Sequence, residues 1–129
     1  AVSHGAPPVP AQAVRIETRR ADGSACRIVI SGDTGPNAGM GRFAAGADLL
    51  IHEAVEAEAL GAHPVFVPGT GHVTAAMAGR IAAMARPKRL ALHHLNAATG
   101  QRPEVVRDEA ATHFEGEVVV PDDMDVLVV

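Results

Sequence analysis

The chain has 129 residues, enough for one domain with a substantial core and too few for two. Apolar residues make up 47% of it and aromatics only 2%, with no Trp or Tyr, so the core has to be built from Ala, Val, Ile and Leu. Eleven basic against 15 acidic residues give a net charge of −4, which argues against a general polyanion-binding surface and leaves a local basic patch open.

The lone Cys26 excludes an internal disulfide and points to a reducing compartment, so a cytoplasmic location is expected. No apolar run approaches the roughly 18–20 residues of a bilayer span, and no membrane partner is expected. There is no signal-peptide pattern. The sequence opens at Ala1 in "AVSHG", without an initiator Met, which suggests a start inside a longer protein.

In chain order, "QAVRIETRR" alternates Val14, Ile16 and Thr18 with polar neighbours, which is strand periodicity. "ADGS" supplies an Asp-Gly turn and "ACRIVIS" the returning strand, so residues 12–31 are predicted to form a β-hairpin. "GRFAAGA" predicts a short helix ending near Gly46, and "DLLIHEAV" a compact buried strand. "GAHPVFVPGTG" is too broken by Pro and Gly for regular structure. From Thr74 to Ala85 the spacing predicts a helix capped by Thr74 and stopped by Pro87, with Met77, Ile81 and Met84 on one face. "KRLALHHL" reads as the next strand. A second amphipathic helix is expected from Pro103 to Phe114, with Val106, Ala110 and Phe114 on its apolar side. "GEVVV", a "PDDM" turn and "DVLVV" predict two closing strands. After the hairpin, strands alternate with helices, an α/β layout.

Seven histidines fall on this map, and His52 and His93-His94 stand at predicted strand ends. Asp33 follows the strand "RIVIS" directly, at the head of a Thr-Gly-Pro-Asn loop. An Asp beside Gly is commonly a solvated turn residue. Strand C-termini in layered α/β folds also converge on the edge where ligands collect, and a carboxylate with imidazoles there suits zinc. No local ligand spacing such as HExxH is present, so both readings stand at this level. "GMGRFA" at residues 39–44 fits G-x-G-x-x-A, but "GDTGPNA" separates it from the strand and no acidic residue follows at the right distance. Nucleotide binding is not expected.

The succession "VSHGAPPVPAQAVRIE", "VISGDTGPN", "GADLLIHEAV", "GHVTAAMAGRIAAMARPKRLALHHLN" and "FEGEVVVPDDMDVLVV" resembles the C-terminal half of metallo-β-lactamase-fold hydrolases. It is most similar to the ribonuclease Z and arylsulfatase-like branch, across nearly the whole chain. The resemblance implies residues 1–129 as the C-terminal half of an αββα sandwich.

It also implies a dinuclear zinc centre, with manganese or iron as alternatives, to which this chain contributes His4, the bridging Asp33, and His94 of "LALHHL". His93 takes the position where the family has threonine. "HEAV" at residues 52–55 and "HVT" at residues 72–74 resemble the ribonuclease Z pair "HEAT" and "HST", each departing by one residue. The pair implies that Glu53 orients His72, and that His72 contacts the scissile phosphate or protonates the leaving oxygen. A free pKa near 6.5 suits an imidazole to that work.

The HxHxDH cluster of the family's N-terminal half does not occur in these residues. The expected partner is therefore that half, or a second copy of the chain making a dimer. A phosphodiester is the expected substrate of the complete protein. An arylsulfatase-like or other ester is the alternative, and so is a non-catalytic half-domain that only binds a partner chain. A nucleic-acid partner agrees with the resemblance but gains nothing from the net charge. His52 is expected to support the local fold, His63 and His113 to lie in a loop and on a helix surface, and Cys26 to be a small core residue.

Overall fold

Arg20 and Ser24 close the tight turn of the predicted hairpin: the Arg20 amide donates to the Ser24 carbonyl at 2.8 Å, and Asp22 Oδ1 accepts the Ser24 amide. Gly23 supplies the positive φ of +83° that the turn needs. The computed structural model describes residues 2–4, 9–55, 71–95 and 102–129. Two short strands, β1 (Val2–His4) and β2 (Val9–Ala11), pair antiparallel as a small separate sheet. The hairpin strands β3 (Val14–Arg19) and β4 (Ala25–Ile30) follow, as expected. The chain continues through α1 (Ala38–Phe43), β5 (Leu49–Glu53), α2 (Ala75–Ala85), β6 (Arg89–His93), α3 (Pro103–Ala111) and β7 (Glu117–Val119). The main sheet has the order β3-β4-β5-β6-β7, antiparallel in its first pair and parallel in the other three.

One face of this sheet is apolar for an evident reason. The register lines up Val29, Leu50, Leu90 and Val118, with Leu92 two residues further along β6. These residues join Met40 of α1, Ile81 of α2 and Val106 of α3 in one core cluster. Val29, Leu50, Leu90 and Leu92 are fully buried, and burying a side chain of this kind is worth about 1.5–3 kcal/mol each. Cys26 is a small buried residue, as expected.

Thr74 caps α2 by accepting the Met77 amide at 3.2 Å. The helix stops before Pro87, with Arg86 as a left-handed C-cap at φ 53° whose amide donates to the Ala82 carbonyl. The packing stripe differs from the expected one. Met84 is 58% exposed, and Ala75, Ala78, Gly79, Ile81, Ala82 and Ala85 form the buried side. Small residues win there because the neighbouring helices come close. A Cβ on Gly79 would lie 2.3 Å from the Ala110 carbonyl of α3, and one on Gly41 would lie 3.0 Å from Met84 Cβ.

Three further expectations are corrected. α1 starts at Ala38 because the Asn37 side chain accepts the Gly39 amide, and it ends at Phe43; Gly46 lies beyond it, its amide bonded to the Ala85 carbonyl. The glycines of "GMGRFA" therefore lie inside a helix, not in a phosphate-cradling turn. α3 ends at Ala111 instead of Phe114, although Val106, Ala110 and Phe114 are buried together as expected. "DVLVV" is no strand: it pairs with none among the described residues, and Val126 and Val128 are exposed. "GAHPVFVPGTG", with His63, lies outside the described residues apart from its final Gly71, and so does "NAATGQ" of the turn before α3.

At the end of the sheet away from the strand tips, Asp48 binds Lys88 Nζ at 2.7 Å and Arg20 Nη2 at 2.9 Å, and accepts the Arg27 amide. Lys88 first, then that amide and Arg20, hold its carboxyl well below the usual carboxylate range.

Candidate active site at the strand tips

β4, β5 and β6 run parallel, so their C-terminal ends open on one edge of the sheet. β4 delivers Asp33 through a break that Gly32 makes possible. Its φ is +63°, and a Cβ there would lie 2.7 Å from the Gln12 carbonyl oxygen, so only glycine fits. β5 delivers Glu53. β6 ends at His93, and His94 turns away with φ 55°, a conformation uncommon for residues other than Gly in which His is enriched. His72 arrives from a different segment. The Val55 amide donates to the Val73 carbonyl, and the Ala75 amide to the Val55 carbonyl, which clips residues 71–75 beside the end of β5.

Glu53 is the centre of the group and has no solvent-accessible surface. His72 Nδ1 donates to Glu53 Oε2 at 2.5 Å, and the Thr34 amide donates to Glu53 Oε1. Burial pushes the Glu53 carboxyl above its ordinary range, and the His72 and Thr34 hydrogen bonds pull the other way. His94 Nδ1 lies 3.4 Å from Asp33 Oδ1 and 3.7 Å from Glu53 Oε2, and the His72 and His94 rings are 5.5 Å apart. Asp33 and His94 are about half exposed, open to a ligand. The structure thus brings four of the five expected site residues together. The fifth, His4, ends β1, and its side chain lies outside the described residues.

Glu53, His72 and His94 each place one donor atom within 4.8 Å of the others. Imidazole with carboxylate is a donor set that fits a borderline divalent cation. Spacing within the wider group of Asp33, Glu53, His72 and His94 separates two roles. Two ligands on one tetrahedral zinc, at ~2.0–2.1 Å from the metal, sit roughly 3.3 Å apart. The Asp33–His94 pair has that spacing, whereas Glu53 and His72 are too close and have the geometry of a hydrogen-bonded pair.

Sequence reasoning missed two participants. Ser31 is fully buried and its Oγ accepts the Glu53 amide at 3.2 Å, and the Thr34 amide holds the Glu53 carboxylate. Neither leaves a motif. The only signal is a short hydroxyl residue before Gly-Asp at a strand end. His52 supports the local fold, as expected: it is buried, and its Nδ1–H donates to the Glu53 carbonyl at 2.8 Å. Its Nε2 and that of His93 are buried without a hydrogen-bond partner among the described residues.

No family model matches the chain. Ribonuclease Z of Halorubrum lacusprofundi is 36% identical over 101 residues, which are 78% of this chain and 32% of that protein. Ribonuclease Z of Natronomonas pharaonis is 39% identical over 99 residues, 77% of this chain and 31% of that protein. The solved structure of the short form of human tRNase Z (ELAC1) superposes with a TM-score of 0.52 at 28% identity, covering 80% of this chain and 33% of that one. The chain is a ribonuclease Z-like protein of the metallo-β-lactamase fold. The metallo-β-lactamase fold protein YhfI of Bacillus subtilis supports the fold alone, with a TM-score of 0.58 at 24% identity over 84% of this chain and 46% of that one. The ribonuclease Z-like chain spans about a third of the length of the curated relatives it matches.

Proposed function

We propose that this chain is the C-terminal portion of a metal-dependent phosphodiesterase that cleaves RNA, with the substrate class suggested by relatives named ribonuclease Z and tRNase Z. The observation that carries the reading is the convergence of Asp33, Glu53, His72 and His94 on one sheet edge, with His72 bonded to a buried Glu53. In this reading Asp33 and His94, with His4, are ligands of a zinc centre completed by the other half of the sandwich. Zinc bound there supplies Lewis-acid polarisation and lowers the pKa of a bound water.

The chain's own residues do the rest. Asp33 stands just beyond the end of β4, where the Gly32 break sets its carboxylate beside His94 Nδ1 at 3.4 Å and leaves it open to a ligand. In this reading Glu53 accepts the Nδ1 proton of His72 and orients the ring. Nε2 is left as the nitrogen that carries the transferable proton when the ring is an imidazolium, which suits His72 to act as general acid for the leaving oxygen.

The test pairs two variants of the complete protein. Asp33→Ala should lose metal, by elemental analysis, together with hydrolysis. His72→Ala should keep metal and lose about 10²–10⁴ in kcat on a substrate with a ribose or alkyl leaving group. It should lose little with a nitrophenyl leaving group, which departs without protonation. Normal turnover by His72→Ala on the poor leaving group would refute the assigned role.

A further inference from the structure

The β4–β5 ladder stops in an unusual way. Ile30 pairs with Ile51, and the Ser31 amide donates to the Ile51 carbonyl at 2.9 Å, as a parallel ladder requires. The next rung of that pattern would run from the Glu53 amide to the Ser31 carbonyl. Instead the Glu53 amide donates to Ser31 Oγ at 3.2 Å, and that hydroxyl donates its own proton to the Gly32 carbonyl at 2.7 Å. A side chain has replaced a backbone acceptor. The substitution lets the main chain leave the sheet at Gly32, where φ is +63°, one residue before Asp33. It does so without leaving the buried Glu53 amide unpaired, which would cost about 1–3 kcal/mol.

The same loop grips Glu53 a second time through the Thr34 amide. Backbone and carboxylate of Glu53 are therefore both held from residues 31–34, one on each side of Asp33. Ser31 and Thr34 are fully buried, so neither bond competes with water.

We propose that Ser31 is a positioning residue for the proton-donating pair. Its hydroxyl fixes the Glu53 backbone, so that the carboxylate meets His72 while Asp33 is free to face its ligand. This rests on the assignment of Glu53 and His72 to proton transfer, and it adds a residue that touches neither substrate nor metal. A short hydroxyl side chain is the only kind that fills the role, because the acceptor has to sit where the backbone carbonyl would have been.

The experiment uses the metal-loaded complete protein and three variants: Ser31→Ala, Ser31→Cys and His72→Ala. Ser31→Ala should keep its metal content and KM. Its kcat should fall about tenfold or more with a ribose leaving group and less than about threefold with a nitrophenyl one. Hydrogen exchange at the Glu53 amide should accelerate at least about tenfold, with exchange at the Leu50 amide unchanged. Ser31→Cys, a near-isostere with a weaker acceptor, should fall between wild type and Ser31→Ala.

Unchanged kcat on the poor leaving group would overturn the proposal, and so would an equal loss with both leaving groups. Loss of metal would overturn it as well, because Ser31 would then act through Asp33. His72→Ala separates the two levels. If it shows no dependence on the leaving group, the proton-transfer reading itself fails. If it shows that dependence and Ser31→Ala does not, only the role of Ser31 fails.

Discussion

His52 and Glu53 are neighbours on β5 and both are closed to solvent, yet burial acts on them in opposite directions. It raises the carboxyl of Glu53 and lowers the imidazole of His52 to about 4, because in each case the charged form loses its hydration. For His52 the consequence is acid lability. Between about 4 and 6.5 the unfolded chain takes up a proton that the folded chain refuses, so stability falls as the pH drops through that window. The shift corresponds to about 3 kcal/mol once the pH is below 4. His93, lowered chiefly by burial, contributes in the same direction. Urea midpoints of chelator-treated protein should fall from pH 7 to pH 4.5, and His52→Phe, which has no titrating group, should flatten most of that slope. An unchanged slope in His52→Phe would place the acid sensitivity elsewhere.

At the level of elements, the helices meet through small residues. Gly79 of α2 lies against the Ala110 carbonyl so closely that any side chain would overlap backbone, which cannot rotate away. Gly79→Ala should therefore destabilise the protein by about 1–3 kcal/mol, the usual cost of overpacking, despite alanine's better helix propensity. Gly23→Ala is a useful contrast, since its Cβ meets nothing and only its positive φ opposes it. Thermal denaturation would show whether the Gly79 variant loses more.

This packing also explains which elements were legible in the sequence. The hairpin and the two ends of α2 have local chemical signals: Asp-Gly, a Thr cap and a Pro stop. The buried side of α2 does not, because large residues such as Met84 point outward while alanines and a glycine carry the contact. "DVLVV" has strand composition, but a strand also needs a partner, and that is a tertiary fact. At the site, Asp33 and His94 were legible by residue type and position at predicted strand ends, and Glu53 and His72 only through the likeness of "HEAV" and "HVT" to the ribonuclease Z pair. Ser31 and the Thr34 amide were not, because a backbone donor has no letter of its own and the serine's role appears only where the ladder ends.

The whole molecule has two unlike sheet faces. On β3 the residues that face the helix layer are polar: Arg15 pairs with Val29 and stacks over the Phe43 ring, and Glu17 pairs with Arg27. Val14 and Ile16 point the other way, in register with Ile30 and Ile28, and Ile30 continues the row to Ile51 and Ala91. A strand that bordered water on that side would be expected to alternate in the opposite sense. All three described helices instead share the face of Val29 and Leu50, leaving Val14 and Ile16 48% and 46% exposed. Such a band is what the inner face of a sandwich requires, with a second sheet packed about 10 Å away.

The proposed N-terminal half, or a second copy of the chain, would close over it. The two situations differ measurably at Ile16. If the face is covered in the complete protein, Ile16→Ala should cost about 2–5 kcal/mol, as a buried truncation does. If it stays open to solvent, the same change should fall within roughly 0.5 kcal/mol. Denaturant unfolding of the complete protein reads the difference directly, and sedimentation shows which layer is responsible. A monomer with a large Ile16 effect assigns the cover to the other half of the same sandwich. A dimer that dissociates on Ile16→Ala assigns it to a second copy, and a small effect in a monomer would overturn the two-layer reading.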